Sequence, residues 1–140
     1  MYKKILVPID GSEHSSKTVR QAADLASNFG ADIFLFHVVQ PLPSSIQGSP
    51  YAKKLLEEVL RNGETILKEE KSKISPSNMG IDIDMVVGNP AEEIIKKAAD
   101  EKCDLIVIGN KGQDKNRGFI MGSVSKRVVR HAHSPVLIVK

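Results

Sequence analysis

The residues best suited to chemistry form one stretch: Gly109-Asn110-Lys111-Gly112, nine residues from Gln113 to Met121, and then Gly122-Ser123. Glycines without Cβ atoms let backbone N–H groups converge on one point and let an anion approach closely. Gly122-Ser123 opens a predicted helix, so the N–H groups of its first turn and the positive end of its dipole face the same place. Ser123 and Ser125 add hydroxyl donors, and Lys111, Lys115 and Arg117 add positive charge. Together they make a cradle for a polyphosphate. The spacing alone fits equally well a flexible strand-to-helix loop with Ser123 as a simple cap. It is neither a Walker loop, since Gly-Lys-Ser/Thr is absent, nor Gly-x-Gly-x-x-Gly.

Other candidates carry less. Asp10, by itself, reads as a turn residue accepting local N–H bonds. His131 and His133 are spaced like metal ligands, but both lie near a predicted helix C-terminus, where imidazole meets the dipole favourably. No metal site is assigned. His14 and His37 have no acidic or nucleophilic partner in sequence and receive no catalytic role. The lone Cys103 has no disulfide partner and is expected as a small core side chain.

The elements that must position the loop alternate regularly. Ile5-Leu6-Val7-Pro8-Ile9 is an apolar run closed by Asp10-Gly11-Ser12, a buried strand ending in a turn. Ser12 caps a helix with apolar positions Val19, Ala22, Ala23, Ala26 and Phe29, stopped by Gly30. Ile33 to Val39 is a second apolar strand, broken only by His37. The segment Gln40 to Pro50, with three prolines, is expected as a surface loop without helix or ladder. A long amphipathic helix starts at Ala52, with Gly63 expected to weaken it. Ile81, Ile83, Met85 and Val87 mark a strand toward a sheet edge. Asn89, Pro90 and Glu92 are placed as N-cap, first helical residue and capping-box partner. Leu105 to Ile108 is a fourth strand, Val124, Val128 and Val129 mark the final helix, and Pro135 to Val139 is the last strand. This order predicts a parallel sheet with helices on both faces.

Composition narrows the functional classes. The chain has 140 residues, 41% hydrophobic and 26% charged, which suits one globular domain spanning 1–140. The net charge of +3 comes from interleaved acids and bases, such as Glu57 and Glu58 before Arg61, and aromatics reach only 4%. No nucleic-acid surface is expected. No apolar run approaches the roughly 18 residues of a membrane span, and Met1 to Asp10 lacks a signal-peptide core, so a cytoplasmic protein is expected.

Across essentially its whole length the chain resembles the universal stress protein family. The resemblance begins at Ile5-Leu6-Val7-Pro8-Ile9-Asp10-Gly11-Ser12, recurs at His37-Val38-Val39 and Gly88-Asn89-Pro90, and ends at Ser134-Pro135-Val136-Leu137-Ile138-Val139. The family's ATP signature, Gly-x2-Gly-x9-Gly-[Ser/Thr], is matched by Gly109, Gly112, Gly122 and Ser123. What the resemblance implies is an open, Rossmann-like five-stranded parallel sheet of the adenine nucleotide α-hydrolase type. It implies adenosine contacts from Asp10 and the backbone near Val38. Gly109, Gly112, Gly122, Ser123, Val124 and Ser125 would surround ribose and phosphates, with Pro8, Ile108 and Lys111 completing the set. Mg²⁺ or Mn²⁺ would bridge the phosphates, and two copies would pair through residues 135–139. Where many relatives carry a small hydroxyl residue followed by Arg or His, this chain has Asn110-Lys111. Lys111 keeps the charge but not the planar fork for bidentate contact.

Three functions fit: an ATP-binding regulatory protein, a slow ATP-hydrolysing or self-phosphorylating enzyme, and a dimeric interaction module in which nucleotide is structural. Binding is favoured over turnover, because no residue is identifiable as the group that orients water. A receiver domain would need an acidic cluster after the first strand and an Asp ending the third; here Asp10 stands alone and the third ends at Val87-Gly88. A flavin carrier would need a hydroxyl-rich phosphate loop after the first strand.

Overall fold

The computed structural model describes residues 1–74, 79–110 and 122–140. Its elements, in chain order, are β1 (Lys4–Pro8), α1 (Glu13–Phe29), β2 (Asp32–Val39), α2 (Ser44–Gln47), α3 (Ala52–Ser72), β3 (Ile81–Val87), α4 (Pro90–Asp100), β4 (Leu105–Gly109), α5 (Ser123–His131) and β5 (Val136–Val139). The five strands form one sheet in the order β3-β2-β1-β4-β5, every neighbouring pair parallel. From β1 the chain builds outward through β2 to β3, then returns to the other side of β1 for β4. The order therefore reverses between β1 and β4, and a crevice opens at the carboxyl ends of these strands.

Alternation along the strands divides the core into two layers. Ile5, Val7, Ile33, Leu35, Leu105 and Val107 pack with Val19, Ala22 and Ala26 of α1 and Leu67 of α3. Leu6, Phe34, Phe36, Ile106 and Ile108 point the other way, against Ala91, Ile94 and Ala98 of α4 and Val128 of α5. Both faces are covered, which is why the central strands read as unbroken apolar runs. β3 lies at one edge, as its alternating polar residues predict.

The caps follow the sequence closely. The Ser12 side chain accepts from the Ser15 N–H, and Gly30 ends α1 in the left-handed conformation at φ 67°, its N–H bonded to the Ala26 carbonyl. Asn89 Oδ1 accepts from the Glu92 N–H at 3.1 Å. The expected return bond of the capping box gives way to a tertiary one: the Glu92 carboxylate accepts from Arg127 of α5 at 3.1 Å.

Three further expectations are corrected. The 40–50 segment contains one helical turn, α2, because Pro43 can precede a helix and its carbonyl accepts from the Ile46 N–H at 2.8 Å. Gly63 does not interrupt α3: a Cβ there would lie 2.5 Å from Met85 Sδ and 2.8 Å from His37 Cδ2, so the bare glycine lets the helix settle onto β2 and β3. β5 starts at Val136; Pro135, lacking an N–H, joins the ladder only through its carbonyl, which accepts from Ile106 at 3.0 Å.

Candidate functional site

A cleft of about 640 Å³ lies over the carboxyl ends of β1, β2 and β4. Of the site residues expected from sequence, Pro8, Asp10, Val38, Ile108, Gly109, Gly122, Ser123, Val124 and Ser125 all line it. Lys111 and Gly112, like Lys115 and Arg117, lie outside the described residues.

Asp10 is held at the end of β1 by its own turn. Its Oδ1 accepts from the Ser15 hydroxyl at 2.7 Å and the Ser12 N–H at 3.0 Å, and its N–H donates to Ser15 Oγ at 2.9 Å. The N-cap serine and a buried helical serine thus orient one carboxylate into the cleft. Gly11, at φ 85°, makes the turn where L side chains are disfavoured, and a Cβ on it would meet Ile66 Cδ1 at 2.7 Å.

The end of β4 is pressed against α1. A Cβ on Gly109 would sit 2.6 Å from His14 Cδ2 and 3.0 Å from Thr18 Oγ1. The two described ends of the glycine-rich segment are joined, since the Gly122 N–H donates to the Asn110 carbonyl at 3.0 Å. Asn110 is itself buried, and its N–H donates to the Val139 carbonyl at 2.8 Å. Gly122, rather than Ser123, is the N-cap of α5 and supplies no side-chain cap; the Ser125 hydroxyl donates to the Gly122 carbonyl at 3.0 Å. The simple-cap reading of Ser123 is therefore not realised. The helical ladder starts with the Lys126 N–H on the Gly122 carbonyl, so the N–H groups of Ser123, Val124 and Ser125 have no intrahelical acceptor at this wall of the cleft. An anion is what such a wall attracts.

Two histidines without a role in the sequence reading also line the cleft. His37 Nδ1 donates to the Ile9 carbonyl at 2.8 Å, tying β2 to the turn after β1. His14 Nε2 donates to the Val139 carbonyl at 2.7 Å, tying α1 to the end of β5. Because a carbonyl only accepts, each bonded nitrogen carries the proton. Sequence could not find these pairings: the partners are 28 and 125 residues away. The segment Gln40 to Pro43 and α3 residues Val59, Asn62 and Ile66 complete the far wall, also unforeseen.

Away from the cleft, burial pushes the Cys103 thiol up to about 11, in keeping with a packed core side chain. Burial also raises the Asp84 carboxyl, but the Lys97 ammonium at 2.7 Å and the Met85 N–H outweigh it, and the net displacement is below the ordinary carboxylate value.

The family model described as "Universal stress protein family" matches residues 1–140. This chain belongs to the universal stress protein family. Among universal stress proteins, it is 36% identical to MJ0531 of Methanocaldococcus jannaschii over all of this chain and 83% of that relative. The solved structure of MJ0577 from the same organism superposes with a TM-score of 0.89 at 28% identity, covering 100% of this chain and 96% of the other. A universal stress protein crystallised in complex with cAMP superposes with a TM-score of 0.74 at 28% identity, covering 99% and 97%. The five-stranded parallel sheet with its helices is thus the fold of solved universal stress proteins.

Proposed function

We propose that this universal stress protein is a regulatory protein that holds ATP across the cleft, adenosine toward Asp10 and Val38 and phosphates toward Gly109 and the first turn of α5. One observation carries this reading. The cleft brings an oriented carboxylate at the end of β1 and the N–H groups of Ser123 to Ser125, which have no intrahelical acceptor, to opposite sides of the point where strand order reverses. Its volume of about 640 Å³ suits a nucleotide-sized ligand. The relative bound to cAMP supports an adenine nucleotide as the class of ligand. The signature glycines favour a polyphosphate within that class.

Among the described residues Asp10 is the one carboxylate lining the cleft, and in this reading it serves the adenosine. In this reading a Mg²⁺ or Mn²⁺ ion would accompany ATP at its phosphates. Binding is favoured over turnover because in-line hydrolysis needs a group at the γ-phosphate to orient water, and none is identifiable in the sequence. Steady-state hydrolysis is expected far below the roughly 10 per second of a median enzyme.

The direct test is mass analysis of nucleotide released from freshly purified protein, followed by calorimetric titration of the stripped chain with ATP. Release of ATP and saturable rebinding are expected. A stripped, folded protein that binds neither ATP nor ADP would overturn the reading.

A further inference from the structure

The cleft runs from the first turn of α5 past β4 and β1 to the end of β2, where its outer wall is made by Pro41 to Pro43 and by Val59, Asn62 and Ile66 of α3. The three α3 residues are spaced i, i+3 and i+7, so one helix face looks into the cleft. Gly63 fixes that placement. With no side chain against Met85 and His37, the helix backbone lies close over β2, beside the residue that precedes Val38. Ile66 packs on Gly11 and anchors the same face over the β1 turn. Of the three, Asn62 alone has hydrogen-bonding capacity, set between two apolar neighbours.

We propose that Asn62 sets the base preference of the cleft by reading the 6-amino and N7 edge of adenine. The inference rests on the nucleotide-binding reading above and deepens it. A carboxamide offers one acceptor and one donor side by side, matching the amino donor and ring-nitrogen acceptor on that edge. Guanine and hypoxanthine put a carbonyl where adenine has the amine, so the Asn62 oxygen would face another acceptor. The other polar groups on this side are less suited. His37 has already committed Nδ1 to the Ile9 carbonyl. Gln40 lies on the irregular segment after β2, whereas Asn62 stands on a 21-residue helix that holds its backbone in place.

The experiment is calorimetric titration of the full chain with ATP, ITP and 7-deaza-ATP, for the wild type, Asn62→Leu, Asn62→Asp and Gln40→Leu, each first shown to unfold cooperatively. Asn62 is exposed, so these variants keep the core intact. The wild type is expected to prefer ATP over ITP by about tenfold or more. Asn62→Leu brings that ratio close to one by weakening ATP. Asn62→Asp, which lacks the donor for N7, loses any preference for ATP over 7-deaza-ATP. An ATP-to-ITP ratio unchanged in Asn62→Leu, or erased in Gln40→Leu instead, would overturn the assignment while leaving nucleotide binding standing. A wild type that binds none of the three overturns both, and that result is visible without any variant.

Discussion

At the scale of single residues the cleft depends on what glycine leaves out. Gly122 has φ −64° and ψ 158°, a conformation any residue adopts, and a Cβ on it would lie 3.2 Å from the Asn110 carbonyl oxygen and 3.8 Å from Ser125 Oγ. Gly122→Val is therefore expected to fold with small local adjustment. Its branched side chain would stand where a phosphate meets the first turn of α5, shielding the N–H groups of Ser123 and Ser125. ATP affinity should fall by about tenfold or more, read by calorimetry on the stripped protein. Unchanged affinity in a folded variant would remove the phosphate from this helix end.

The elements show why local propensity misleads. In an isolated helix Gly63→Ala would stabilise by about 1 kcal/mol. Here the new methyl would come within 2.5 Å of Met85 Sδ and 2.8 Å of a His37 ring held by its bond to Ile9. Overpacking of this kind costs about 1–3 kcal/mol, so a lower urea midpoint is expected; a raised midpoint would contradict the docking of α3. A second prediction concerns the join of β3 to α4. Lys97 bonds Asp84 and lies 5.7 Å from the Phe34 ring centroid and 5.3 Å from that of Phe36. Because the Asp84 carboxyl is displaced downward, its contribution is full above the unfolded value of about 4 and is lost as pH falls through the lower folded value. Asp84 is 46% exposed on its side chain, so solvent screening holds the effect to about 1 kcal/mol or less. Denaturation of Asp84→Asn should show a small deficit at pH 7 that closes in acid. A deficit that widens in acid would mean the pair is not its source.

For the whole molecule the open question is the β5 edge. Among the described residues β5 pairs only with β4, leaving its other side as a sheet edge, and Leu137 and Val129 are 38% and 44% exposed. Unpaired ladder groups beside apolar side chains invite a second copy of the same strand, and a two-fold axis would close the assembly. We expect a homodimer through residues 136–139, seen in light scattering as twice the 15.3 kDa chain mass at high micromolar concentration. A monomer mass throughout a dilution series would exclude it.

Sequence alone determined every strand, every helix but α2, and the end of the sheet at which the candidate cleft lies. Apolar runs, caps such as Ser12, Gly30 and Asn89, and the glycine signature are local patterns, each set by backbone sterics within a few residues. Nine of the eleven expected site residues fall on the cleft, and the other two, Lys111 and Gly112, lie outside the described residues. Tertiary structure decided what no local pattern could hold. His14 and His37 became structural ties because their carbonyl partners arrive from distant strands, and Glu92 left its own cap for Arg127 because α5 packs beside α4. Likewise Val59, Asn62 and Ile66 differ from their neighbours on α3 only in facing the cleft, an orientation set when Gly63 brings the helix down onto Met85 and His37.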